Sequence, residues 1–147
     1  MVIPSVGGYG GEQYRVCHLE PVADLSRKMW EVQTQSCLVQ VRESKAGVRC
    51  QDVAKTVHDF QVKEGMAQYV YHRPGHGQAG LGHTPPYIAL GDDTVLVEGM
   101  LFSNEPCLYS PTDGIGYGTG DTVLVTKTKG IQMGPSPMTK EWSFIKL

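Results

Sequence analysis

The order of residue periodicities along the chain predicts an α+β fold, two consecutive helices followed by several antiparallel strands. Apolar residues recur at helical spacing over 21–45 and again over 50–64. The second half is instead built of short β-branched and aromatic runs parted by glycine and proline turns. At 147 residues with 40% hydrophobic side chains, the chain can bury one core and gives no reason to expect two domains.

Taken in order, Gly7, Gly8, Gly10 and Gly11 around Tyr9 mark a bend or bulge before a strand over 12–20, with Tyr14, Val16 and His18 on one side. Pro21 suits the first turn of a helix running to about Lys45, and Asp24 adds a favourable charge near its positive end. Its apolar stripe is Leu25, Met29, Val32 and the small Ser36, with Leu38, Val39 and Val41 beside it. Ala46-Gly47 breaks that helix. Cys50 to Glu64 forms the second, with Val53, Val57 and Phe60 inward and Gly65 as C-cap. Gln68–Tyr71 reads as a short strand. Further strands are expected after the turn at Gly91-Asp92-Asp93, through Met100–Asn104, at Leu108-Tyr109, over the clear run 121–128 and at Ile131–Met133. Between them Gly114, Gly116, Gly118 and Gly120 alternate, leaving one face of bare backbone open to a ligand or another chain.

Composition excludes several classes. A formal net charge of -2, without a run of Lys or Arg, argues against a nucleic-acid partner. No apolar stretch approaches the roughly 18–20 residues of a membrane span, and the N-terminus lacks signal-peptide regions. The four cysteines are widely spaced with no C-x-x-C pair, so neither a zinc ribbon nor a disulfide framework is indicated, and a reducing, cytoplasmic setting is expected.

Chemistry concentrates between His72 and Pro86, where three histidines and four glycines share fifteen residues. Gly75 and Gly77 flank His76, allowing close backbone approach or φ > 0. Neutral imidazole is both a metal ligand and a proton carrier. His83 precedes Thr84, Pro85 and Pro86, a rigid exit.

Four separated blocks resemble the pita-bread metallopeptidase superfamily: Gly8-Tyr9-x-x-Glu12-x-x-Arg15, Gly75-His76-Gly77-x-x-Gly80-Leu81-x-His83-x-Pro85, Glu105-Pro106-x-x-Tyr109 and Gly120-Asp121-Thr-Val-Leu-Val-Thr. That superfamily includes methionine aminopeptidases, aminopeptidase P, Xaa-Pro dipeptidases and the metal-free creatinases. The resemblance implies a partial pita-bread catalytic domain over 1–147, two helices on a curved, mostly antiparallel sheet, with the N-terminal half of the domain absent. It further implies two divalent metals on two aspartates, one histidine and two glutamates, with a bridging water that attacks the peptide carbonyl. On these positions His76 is similar to the metal-binding histidine, and Glu105 to the glutamate that binds metal and shuttles the proton. His83 resembles the substrate-contacting histidine, and His72 lines the pocket or hydrogen-bonds the loop.

The departures are specific. Glu12 stands where the family has its second aspartate, and Met1 where the first would fall. Gly120 replaces the final bridging glutamate, and Asp121 reaches the site only if a bulge or a one-residue slip turns it inward. Thr84 and Cys107 replace an acidic residue and a glycine. The ligand set is therefore Glu12, His76 and Glu105, with Asp121 conditional, enough for one ion or none. Such donors suit Mn, Fe, Zn or Co.

Three readings follow. The first is an Xaa-Pro dipeptidase-like metallohydrolase acting on peptides, a homodimer in its full-length parent. The second is a pita-bread enzyme of another class, either C–S cleavage like the dimethylsulfoniopropionate lyases or creatinase-like metal-free hydrolysis, with His76 or His83 as base. The third is a non-catalytic binding protein retaining the fold. Unpaired strand edges of a half-domain predict poor solubility or oligomerisation of the chain alone, and a monodisperse monomer would refute that.

Overall fold

The computed structural model describes residues 5–78, 80, 82–139 and 143–145. Two helices form where the periodicity predicts them. The first, α1 (Asp24–Glu43), begins three residues after Pro21 and carries Asp24 in its first turn, while α2 (Cys50–Lys63) is closed by Gly65 in the left-handed region at φ 79°. Gly47, at φ 89°, turns the chain between them.

The strands are β1 (Ser5–Val6), β2 (Tyr9–Gly10), β3 (Gln13–Tyr14), β4 (Cys17–Leu19), β5 (Gly75–Gly77), β6 (Thr84–Ile88), β7 (Leu101–Asn104), β8 (Leu108–Ser110), β9 (Ile115–Tyr117), β10 (Gly120–Val125), β11 (Gly130–Gln132) and β12 (Ser143–Ile145). The principal sheet is antiparallel in the order β11-β10-β7-β5-β6, with β3 also paired to β10. Three two-stranded pairs, β1-β2, β8-β9 and the parallel β4-β12, complete it. Pro85 and Pro86 lie in β6, the sheet edge, where a missing N–H leaves no ladder bond unmade.

One core cluster joins α2 to the sheet through Val53, Ala54, Ile88, Leu96, Phe102, Val123 and Val125, and a second joins α1 to β8 and β9 through Met29, Trp30, Val32, Leu108 and Tyr117. Helix α1 also buries a polar row that its stripe does not announce. Gln33 donates to Thr119 O at 2.8 Å and Gln40 to Ser103 O at 3.2 Å, while Asn104 Nδ2 donates back to Cys37 O at 3.0 Å. These bonds give the three buried amide nitrogens an acceptor, while their oxygens Gln33 Oε1, Gln40 Oε1 and Asn104 Oδ1 stay unpaired, and they tie the helix to the ends of β7 and β10.

Several local expectations are corrected. The single strand over 12–20 is two short pieces, β3 and β4. Residues Ala67–Tyr69 form a 3-10 turn instead of a strand, closed by Tyr69 N to Met66 O at 2.9 Å. Leu38 is exposed on the outer side of α1. His18 lies in a strand as expected, in β4, and is buried against Trp30 and Tyr117. The alternating glycines are an open face only at exposed Gly114, where a Cβ would meet nothing within 4 Å: a Cβ on Gly116 would meet Tyr109, and one on Gly118 or Gly120 would meet Tyr14. Neither Gly75 nor Gly77 has positive φ. A Cβ at Gly75 would overlap the Ser103 carbonyl oxygen, and one at Gly77 would lie 2.6 Å from Pro85 O, so both glycines serve close strand packing.

Candidate metal centre

The sheet brings residues from three distant blocks to one point. His76 sits at the middle of β5, where its N–H donates to Ser103 Oγ at 3.0 Å and its backbone is sandwiched between β6 and β7. Glu105 follows β7 directly, held by its N–H to Pro74 O at 2.8 Å. Glu12, just before β3, is pinned to β10 on both sides: its N–H donates to Thr122 Oγ1 at 2.9 Å, and Thr122 N–H donates to its carbonyl at 2.9 Å. All three side chains are buried, Glu12 at 7%, His76 at 1% and Glu105 at 6% exposure.

His76 Nε2 lies 3.0 Å from Glu105 Oε1 and 3.8 Å from Glu12 Oε2. These three atoms, Glu12 Oε2, His76 Nε2 and Glu105 Oε1, are buried without a hydrogen bond of proper geometry. On the other side of the ring, Nδ1 lies 3.1 Å from Gly77 O. A carbonyl only accepts, so Nδ1 carries the hydrogen, and Nε2 presents either a second proton or a lone pair to the carboxylates. Two donors each about 2.1 Å from one ion stand about 3–4 Å apart, the range of both separations. The donor set and the orphaned atoms therefore fit a divalent cation.

His83 stacks on His76, with ring centroids 3.9 Å apart, and is exposed. Glu12, His76 and His83 each offer a ligand atom within 4.8 Å of the others, so His83 stands among the potential ligands as well as at the rim. His72 Nε2 is 4.0 Å from Glu105 Oε1.

The two glutamates are driven apart in acidity. Burial pushes both carboxyls up. At Glu12 the negative charge of Glu105 adds to that effect and the net shift is upward, whereas at Glu105 the close approach and charge of His76 prevail and hold it below the usual carboxylate range. For His76, burial pulls the imidazole down, but Glu105, the Gly77 carbonyl and Glu12 together raise it.

Asp121 does not join these groups. The register of β10 with β7 and β3 is unbroken, without the bulge that would turn it inward. Its buried carboxylate accepts from Arg15 Nη2 at 2.6 Å and from Gln13 Nε2 at 3.1 Å. The structure thus corrects the conditional placement of Asp121 in the ligand set: its carboxylate is the partner of Arg15. Met1 lies outside the described residues.

Tyr14 is the neighbour that sequence reasoning missed. It pairs with Gly120 across β3 and β10, its hydroxyl donates to Glu105 Oε2 at 3.2 Å, and it lies 3.8 Å from Cys107 Sγ. Burial, with Cys107 and Glu105 adding to it, drives the phenol far above its ordinary range, so it remains a donor. The available signal was the glycine at 120, which leaves room for a ring opposite.

Two helices packed on an antiparallel sheet, with histidine and glutamates gathered at its middle strands, define the pita-bread class. Residues 2–127 match metallopeptidase family M24, and the chain belongs to that family. It is 33% identical over 120 residues to an Xaa-Pro dipeptidase of Lactobacillus helveticus, covering 82% of this chain and 32% of that protein. To a probable dipeptidase PepE of Mycobacterium bovis it is 32% identical over 143 residues, covering 93% and 38%. Among solved structures, an Xaa-Pro dipeptidase from Bacillus anthracis superposes with a TM-score of 0.86 at 27% identity, over 94% of this chain and 38% of that one. An X-Pro aminopeptidase from Thermotoga maritima gives 0.88 at 19% identity over 97% and 39%, a likeness of fold. The chain spans about a third of the length of the curated relatives it matches, 32% and 38%. No helix among the described residues is long and apolar enough to cross a membrane.

Proposed function

We propose that this chain supplies part of the catalytic domain of an Xaa-Pro dipeptidase-like hydrolase, with Glu12, His76 and Glu105 holding a divalent ion, Mn, Fe, Zn or Co. The observation that carries this reading is that two buried, unsatisfied carboxylate oxygens, Glu12 Oε2 and Glu105 Oε1, both lie close to the same buried, unsatisfied His76 Nε2, at 3.8 and 3.0 Å. A bound ion supplies Lewis acidity toward a carbonyl oxygen and lowers the pKa of its water.

The chain's own groups do the rest. Glu105, kept ionised by His76, offers Oε1 to the ion, while Tyr14 holds its other oxygen and fixes the orientation of the carboxylate. Glu12, whose acidity is weakened by burial, contributes its anionic form once a cation neutralises the pair. Exposed His83, stacked on His76, faces the peptide substrate, and His72 borders Glu105.

The test is the metal content of purified chain and its hydrolysis of Xaa-Pro dipeptides. Stoichiometric Mn, Fe, Zn or Co that disappears in His76→Ala supports the reading. A folded protein with neither bound metal nor cleavage overturns it. A metal-free reaction of another class, with His76 or His83 as base, draws on Gly120, where no ligand side chain exists. Activity that survives chelation but not His83→Ala would mark that reaction.

A further inference from the structure

Glu105 uses its two oxygens differently. Oε1 faces His76 Nε2 at 3.0 Å, whereas Oε2 accepts from the Tyr14 hydroxyl at 3.2 Å. A carboxylate that spans two ions with one oxygen on each has neither to spare, and here Oε2 is taken by the Tyr14 hydroxyl. The same ring fills the volume beyond Glu105. A Cβ on Gly120 would lie 2.5 Å from the Tyr14 ring atoms Cε1 and Cζ and 2.8 Å from its hydroxyl, so Tyr14 and a side chain at 120 exclude each other. Pairing of Gly120 with Tyr14 across β3 and β10 locks the ring in this position, and Arg15, the next residue, is anchored to Asp121, Tyr14 O and Gly120 O.

We propose that Tyr14 occupies the place of a second metal ligand, so that the centre is built for one divalent ion and Glu105 binds it through a single oxygen. This inference rests on the metal-site reading above and adds its stoichiometry and the residue that sets it. It also accounts for Gly120: only a residue without a side chain leaves room for the ring. With the ring removed, a glutamate at 120 would extend its carboxylate into the space beside Glu105 Oε2 and complete a second site with Glu12.

The experiment is titration of Mn2+ into the metal-free chain, residues 1–147, by equilibrium dialysis with elemental counting. Wild type, Tyr14→Phe, Tyr14→Ala/Gly120→Glu and His76→Ala are compared, with circular dichroism as the check on folding. One ion per chain is expected in wild type and in Tyr14→Phe, which keeps the ring, and two in the double variant. Two ions in wild type, or one in a folded double variant, would overturn the proposal while leaving the metal-site reading intact. No ion in wild type, with His76→Ala indistinguishable from it, would overturn the metal-site reading and the proposal together. Should the double variant fail to fold, thermal unfolding of Gly120→Ala decides. Its midpoint falls by several degrees with Tyr14 present and hardly at all in Tyr14→Ala, and an equal fall in both backgrounds would overturn the proposal.

Discussion

Gly75→Ala is the smallest change that tests how the sheet positions His76. Gly75 does not have positive φ, so its backbone accepts alanine; the obstacle is the neighbouring strand. The added methyl would overlap Ser103 O, a backbone atom of β7, and would stand 3.0 Å from Gln40 Nε2. Relief requires β5 and β7 to part by roughly an ångström, an overpacking cost of about 1–3 kcal/mol. The same movement strains the bond from Gln40 to Ser103 O, and leaving that fully buried amide unpaired costs about 1–3 kcal/mol more. Alanine returns about 0.4–1 kcal/mol by restricting the unfolded chain. The net loss is about 1–6 kcal/mol, a large share of the roughly 5–15 kcal/mol that stabilises a typical domain. Urea unfolding followed by circular dichroism measures it. Mn2+ affinity of the folded variant should fall as well, because His76 is the next residue and its N–H is bonded to Ser103 Oγ. A loss below about 0.5 kcal/mol with unchanged metal binding would refute the view that Gly75 exists to let β5 and β7 approach.

Arg15→Met removes the cation from the fully buried Asp121 carboxylate and should cost about 3–5 kcal/mol in denaturant unfolding, part of it recovered in Arg15→Met/Asp121→Asn; a loss under about 1 kcal/mol would contradict an essential pair. His18 has an imidazole pulled down by burial, with the charge of Arg27 acting in the same direction. Its folded pKa lies below the unfolded value of 6.5, so the unfolded chain binds more protons, and the stability His18 contributes is full above that value and declines as pH falls through it toward the folded pKa. Relative to His18→Phe, wild type should therefore lose more melting temperature between pH 7.5 and 5.5, and a parallel response of the two proteins would refute the assignment.

The helices were legible because each is long enough for its apolar stripe to repeat. The stripe does not show that α1 also buries Gln33 and Gln40, since nothing local marks a glutamine whose partner is a carbonyl on another element. The strand over 12–20 reads as continuous by alternation, yet β3 pairs with β10 while β4 pairs with β12, so two partners divide it. Gln68–Tyr71 has strand-forming residues, but three residues without a sheet partner close a tight turn instead.

By itself the sequence determined the two helices, the family blocks and the histidines and glutamates that meet at the centre, because these depend on periodicity and side-chain chemistry within short windows. Glu12, His76, His83 and Glu105 were all named by motif, and the structure gathers them within a few ångströms. Only the tertiary structure decided that Asp121 turns away to Arg15, that Gly116, Gly118 and Gly120 face tyrosines, and that Tyr14 stands opposite Gly120 with its hydroxyl on Glu105. The reason is that alternation along a strand sets which face a side chain takes, whereas its neighbour across the ladder is set by pairing between segments about a hundred residues apart.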